Sequence, residues 1–220
     1  MLLTLIGVTL TSIPAFASDP SPASSAASTG AMPPDPLQLV RSLAQKPPTR
    51  TPFAEARFSP LLDQPLLLSG TLGWEGGQRL RRDVAEPYVE STVIADGEVA
   101  LTRAGHGTRH FSLDRAPPLK ALLQSMVAVL SGDPAQLEGV FNARVEGSAQ
   151  AWTLTLTPVQ PALKLSLSHL RLEGGPHTLY CLETAEAKGT VSIDLLGPLA
   201  TQMPKAPTRE ALTTLCRHAQ

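Results

Sequence analysis

Leu66-Leu67-Leu68-Ser69-Gly70-Thr71-Leu72-Gly73-Trp74 is the stretch on which the fold turns. Leu66, Leu68, Gly70, Leu72 and Trp74 fall on one side of an extended chain, and Leu67, Ser69, Thr71 and Gly73 on the other. A period of two with one greasy side predicts a half-buried strand. Glu75-Gly76-Gly77 turns the chain, and Arg79 to Val84 continues as a polar strand. Tyr88 to Ala95 predicts another, with Val89, Ser91, Val93 and Ala95 opposite Tyr88, Glu90, Thr92 and Ile94. Asp96-Gly97 is a strong hairpin signal, since both central positions of a type I′ turn require positive φ. Val99 to Thr102 then pairs back, and Gly105 and Gly107 mark a turn into a strand ending near Leu113.

Helical spacing flanks and interrupts these strands. Asp35-Pro36 reads as an N-cap followed by Pro at the first helical position, with Leu37, Val40 and Leu43 on one face. Between Asp114 and Ser131, Leu119, Leu122, Leu123, Met126, Val127 and Leu130 recur at steps of three and four, which predicts an amphipathic helix of about four turns. Gly132-Asp133-Pro134 ends it, and a weaker helix is expected through Leu137, Val140 and Phe141. Strands resume at Ala151 to Leu156, Leu163 to Leu167, Leu179 to Ala187 and Val191 to Leu195, and Gly174-Gly175 and Lys188-Gly189 supply turns. Prolines 198, 204 and 207 suggest a loose tail with one helical turn near Arg209 to Leu215. The connections are short enough for antiparallel neighbours. A sheet with one apolar face must cover it, and the amphipathic helices are the available partners. The expected fold is therefore α+β but mainly β, a half-open barrel with a plug or lid.

Composition narrows the class of function. In 220 residues, 18 Lys+Arg against 19 Asp+Glu give a formal charge of −1, so there is no basic excess for a phosphate backbone and nucleic acid is not expected as a partner. Aromatics make up 4% of the chain, so the interior must be built from Leu, Val and Ala. Leu2 to Ile13 is an apolar run too short for a bilayer, which needs ~20 residues, and Ala15-Phe16-Ala17 supplies an A-x-A cleavage site. Residues 1–17 thus read as a secretory signal peptide, although no Lys or Arg precedes the apolar run. Residues 18–34, rich in Ser, Ala and Pro, read as a disordered lead-in. Export places the two cysteines, Cys181 and Cys216, in a compartment that permits disulfides. One bridge between them would contribute about 3 kcal/mol by loop entropy; two separate thiols are the equal alternative.

Enzyme signals are thin. His106 and His110 are four apart, but Gly105 and Gly107 put them at a turn without the Glu of a helical metal site, and His169 and His177 flank a hairpin. No G-x-S-x-G occurs, no phosphate-binding G-x-x-x-x-G-K-[ST] loop occurs, and the acidic residues form no close pair on one predicted face. The expectation is no catalytic residue, no metal and no cofactor. Arg79, Arg81 and Arg82 are candidates for a rim that meets head groups or an acidic partner; the plainer reading is a solvated strand edge.

Phe53-Ala-Glu-Ala-Arg-Phe58, Ser69-Gly-Thr-Leu72 with Trp74, the step from Arg81-Arg82 to Pro87-Tyr88, and Thr92-Val-Ile-Ala-Asp-Gly97 before an apolar strand resemble, in that order, the LolA family of periplasmic outer-membrane lipoprotein carriers. The resemblance covers about residues 35–196 and implies one carrier domain over 35–203, followed by the tail 204–220. It implies an unclosed antiparallel half-barrel of about 10–11 strands, its apolar face covered by helices. It also implies a monomeric periplasmic carrier that takes an acylated client, lipoprotein or lipid, from an inner-membrane exporter to an outer-membrane acceptor. The cavity and lid would then be lined by Leu66, Leu68, Leu72, Trp74, Val93, Leu119, Leu122, Leu123, Met126, Val127, Leu130, Trp152, Leu154 and Leu165. Two features depart from the family. Glu75-Gly76-Gly77 stands where carriers place a basic residue and Pro after the Trp strand, and aromatics are sparse. The rival implication is a lipid-sensing regulatory module of RseB type, whose amino-terminal domain shares the fold.

Overall fold

The structure, a computed structural model, describes residues 33–219. The expected signal peptide and nearly all of the lead-in lie outside the described residues. Asp35 caps the first helix, α1 (Pro36–Ser42), its Oδ1 accepting from the amides of Leu37 and Gln38 at 3.0 Å each. Six strands follow: β1 (Thr49–Phe58), β2 (Leu66–Gly76), β3 (Arg79–Glu86), β4 (Glu90–Ala95), β5 (Glu98–Arg103) and β6 (Gly107–Ser112). Asp96 and Gly97 both have positive φ, 55° and 80°, as the hairpin signal requires. A 3₁₀ turn at Leu113–Arg115 leads into α2 (Pro117–Ser131). The second half contains β7 (Phe141–Gly147), β8 (Trp152–Pro158), the single turn α3 (Pro161–Lys164), β9 (Leu167–Gly175), β10 (Thr178–Glu186), β11 (Val191–Leu196) and α4 (Arg209–His218).

The eleven strands form one antiparallel sheet in the order β6-β5-β4-β3-β2-β1-β11-β10-β9-β8-β7. Each half is a meander, and the halves join where β1 pairs with β11, Phe53 opposite Leu196 and Glu55 opposite Asp194. The end strands β6 and β7 do not pair with each other, so the sheet is unclosed. α2 is the link between these two free edges, leaving the β6 side and delivering the chain to β7.

Three sequence expectations change. Phe141 begins a strand, because Phe141, Ala143 and Val145 alternate in step with Pro158, Leu156 and Leu154 of β8; only a 3₁₀ turn, Pro134–Leu137, is helical there. Leu163 to Leu167 is not a strand, because Pro161 starts the turn α3 and pairing with β10 begins only at Leu167. The expected loose tail carries α4, capped by Thr208 Oγ1 accepting from the Ala211 amide at 3.1 Å, with Leu212 and Cys216 buried.

Candidate functional site

Side chains of directly paired residues lie on the same face of a sheet. The register therefore assigns to one face Phe53, Glu55, Leu66, Leu68, Leu72, Trp74, Leu80, Arg82, Val84, Ile94 and Val99 from the first half. From the second half the same face takes Leu182, Asp194 and Leu196, with Leu170, Leu172, Leu154 and Leu156 continuing it. This inner face carries α1 and α2, and the outer face carries α4.

α2 touches both wings of the inner face. Leu119 and Leu123 pack with Leu80, Ile94, Val99, Phe111 and Leu113. Ala121, Ala128 and Val129, with Leu122 and Met126, belong to the cluster of Leu154, Leu156, Leu170 and Leu172 with Leu39, Val40 and Leu43 of α1. Leu122 and Leu123 are neighbours in sequence yet join different wings. In a flat sheet Ile94 on β4 and Leu170 on β9 would stand six strand spacings apart, about 29 Å, so the sheet curls around the helix. From Leu119 to Ser131 no residue of α2 is exposed.

The expected lining residues divide. Leu68, Trp74, Trp152 and Leu154 are buried on the inner face, while Leu66 and Leu72 are half-buried beside Phe53, Leu68, Val84 and Leu196. Leu119, Leu122, Leu123, Met126 and Leu130 are half-buried, and Val127 is buried. The least exposed residues of α2 are Ala128, Ser125 and Val129, which sequence reasoning missed. Small side chains let backbone approach backbone, and Ser125 satisfies its hydroxyl locally by donating to the Leu122 carbonyl at 2.6 Å. The available signal was the absence of charge after Lys120, which marks a helix buried all round. Val93 pairs with Arg81 on the outer face, and its neighbour Ile94 takes the inner position. Leu165 is 76% exposed at the end of α3, outside the sheet pairing.

The three arginines do not form one rim, because strand alternation separates them. Arg79 and Arg81 lie on the outer face, paired with Asp96 at 3.3 Å and Asp83 at 2.6 Å. Arg82 points inward, donating to Glu55 at 2.6 Å with its guanidinium 4.7 Å from the Phe53 ring centre. Arg57 reaches the same carboxylate at 2.8 Å. Glu55 is only 3% exposed, and directly across from it stands Asp194. Burial first, and the Glu55 charge second, push the Asp194 carboxyl well above its ordinary range, against the pull of Arg82 and Arg57. The inner face is thus two apolar wings around a charged centre. Sequence reasoning missed Glu55, Arg57 and Asp194, whose signal is their shared parity with Phe53 and Leu196.

On the outer face the cysteines are joined, Cys181 of β10 to Cys216 of α4, with Cα atoms 5.9 Å apart. Beneath α4, Arg171 bridges Glu183 at 2.7 Å and Glu173 at 3.2 Å, and His169 meets Glu183 at 3.0 Å. Burial raises the Glu173 carboxyl. Burial also pushes Glu183 upward, but the His169 hydrogen bond and the Arg171 charge prevail and lower it. A cavity of about 10 Å³ lies here, beside Cys181, Glu173 and Cys216. A larger cleft of about 210 Å³ sits at Phe58, Pro60, Leu62, Pro65 and Gly189. Neither is lined by a residue of α2. His106 and His110 are exposed, and among the described residues no group of three or more His, Cys, Asp or Glu could hold a metal ion. Among those residues no helix is long and apolar enough to cross a membrane.

Solved structures similar to this chain include a LolA superfamily protein from Nitrosomonas europaea, at 11% identity and a TM-score of 0.39, covering 73% of this chain and 89% of that one. MucB is similar at 16% identity and a TM-score of 0.40, over 80% of this chain and 60% of that one. The complex of MucA and MucB from Pseudomonas aeruginosa is similar at 14% identity and a TM-score of 0.36, covering 80% and 58%. No curated protein matches the sequence. The family model described as outer membrane lipoprotein carrier protein LolA-like matches residues 26–219, and with its single unclosed antiparallel sheet the chain belongs to that LolA-like family.

Proposed function

We propose that this protein is a periplasmic, non-enzymatic carrier that shelters the acyl chains of a lipoprotein or lipid between inner and outer membranes, with α2 as the displaceable filling of its inner face. The observation that carries this reading is α2 itself. It is an uncharged stretch from Ala121 to Ser131, held by side-chain packing against both wings of a sheet that does not close.

The energetics suit exchange. Each methylene taken out of water contributes about 0.8 kcal/mol, so bare acyl chains do not cross an aqueous compartment unaided. If an acyl chain takes the place of the Leu122 and Met126 side chains against their wing, the displacement of those side chains into water offsets part of the gain from sheltering the chain, which limits how tightly the cargo is held. The donor would be an inner-membrane exporter that supplies the extraction energy, and the acceptor would lie at the outer membrane.

The test is uptake of a fluorescent fatty acid. Met126→Asp should abolish uptake while far-UV circular dichroism still reports the sheet, and Met126→Leu should retain it. Undiminished uptake by the folded Asp variant would refute the displacement of α2. Native mass spectrometry of protein purified from membrane-containing cells separates the roles: acyl adducts support the carrier, and a stoichiometric regulatory protein without acyl adducts supports a sensor instead.

A further inference from the structure

A polar strip crosses the middle of the inner face. The register sets Glu55 and Arg57 of β1 opposite Asp194 and Ser192 of β11, with Thr184 of β10 beyond Ser192. Arg82 joins them from β3, reaching over the Phe53 ring to Glu55. The apolar cluster that flanks the strip, Phe53, Leu68, Val84 and Leu196, includes no residue of α1 or α2. The helices cover the wings and leave this strip between them.

Pairing within the strip is uneven. Glu55 is buried, and its carboxylate takes both Arg57 at 2.8 Å and Arg82 at 2.6 Å. One guanidinium would neutralise it, so the second is surplus. Both still reach the open side, with 44% of the Arg57 side chain exposed and 28% of that of Arg82. A guanidinium carries five N–H donors, so each fork keeps donors beyond those turned to Glu55. The Asp194 side chain makes no hydrogen bond or ion pair among the described residues. Burial and the Glu55 charge favour its protonated form, which leaves the strip with two positive charges against one negative.

We infer that this strip seats the polar head of the acyl cargo, and that the head is an anion with oxygen acceptors, a carboxylate or phosphate, while its chains lie along the apolar wings. The inference rests on the carrier reading and adds to it the class of head group and its place. Guanidinium forks match the paired oxygens of carboxylate and phosphate. A neutral head gains less, because hydrogen bonds to a charged acceptor are the stronger ones. The strip also orients the cargo. Arg57 stands one residue before the end of β1 and Ser192 one residue after the start of β11, so the head lies toward loops 59–65 and 187–190.

The experiment is displacement of the fluorescent fatty acid from the full protein at neutral pH by a saturated carboxylate, its methyl ester and the amine of the same chain length. The parent should bind the carboxylate about tenfold or more tighter than the ester. Arg57→Gln and Arg82→Gln should each cut that ratio to about a third or less. Glu55 keeps one arginine in either variant, and circular dichroism checks the fold, so either one that folds suffices. Arg79→Gln loses the same charge on the outer face and should leave the ratio unchanged. Inorganic phosphate, an anion with no chain, should not compete at equal concentration. Equal binding of carboxylate and ester by the parent, or tightest binding of the amine, would overturn the head-group assignment and leave the carrier reading standing. So would a ratio that survives in the folded Arg57 and Arg82 variants, one that Arg79→Gln lowers as much, or competition by phosphate alone. Failure of all three chains to bind would instead refute the carrier reading, and this inference with it.

Discussion

At the scale of single residues, two sites carry opposite consequences for stability. Cys181–Cys216 closes a loop of sequence separation 35 and fastens α4 to the outer face. Restricting the unfolded chain in this way contributes about 3–4 kcal/mol. Cys216→Ser should therefore lower the melting temperature, and adding reductant should lower that of the parent but leave the variant unmoved. Asp194 works against the fold. Because burial raises its carboxyl, the folded state keeps a proton that the unfolded state releases. The fold carries no penalty from this group below the unfolded value near 3.8, and the stability it has there is lost as pH rises through the folded value. Asp194→Asn should accordingly gain melting temperature over the parent at pH 8 and nearly match it at pH 3; a difference independent of pH would refute this account.

Among the elements, α2 was legible as a helix but not in its orientation. Its leucine stripe was plain, yet the least exposed positions, Ser125, Ala128 and Val129, lie beside that stripe, on the side where small side chains leave room for close packing. β2 was read correctly because its alternation was clean and unbroken. Leu137, Val140 and Phe141 have helical spacing but straddle a turn, which hid the start of β7, whose own period of two begins at Phe141. Leu163, Leu165 and Leu167 alternate like a strand, but Pro161 favours the first turn of a helix. The junction of α1 and α2 gives a further test. Gly132 ends α2 with φ of 67°, and a Cβ there would meet the Ala44 Cβ at 2.6 Å and the Arg41 carbonyl at 3.1 Å. Gly132→Ala should destabilise by more than about 1 kcal/mol, from backbone strain and crowding together. Chemical denaturation measures it, and a neutral substitution would mean that the helix end can shift.

The molecule as a whole was legible in its class because meanders with turn signals leave few alternatives. The pairing of β1 with β11 was not, since nothing local distinguishes the strand that closes a long-range pair. Nor were the inward charges, because their partners lie on different strands. An unclosed sheet must also protect its edges. β6 presents exposed Arg109 and His110, and β7 presents Arg144 with Glu146 at 3.0 Å. Charges on an edge strand discourage pairing with another copy. Arg109→Val/His110→Val should promote concentration-dependent association on size-exclusion chromatography, and a variant that stays monomeric would show that the β6 edge is guarded by something else.

The helix across the inner face is stitched to the sheet at both ends, and this bounds whatever it does. Ser112 lies only a few residues before it, and Phe141 follows within ten residues of its last turn. A strap sewn to two opposite hems can bow or roll, but it cannot swing away like a door on one hinge. On the proposed carrier reading, guest volume would be metered by the slack in those two seams, and lengthening either seam would be the direct way to enlarge it.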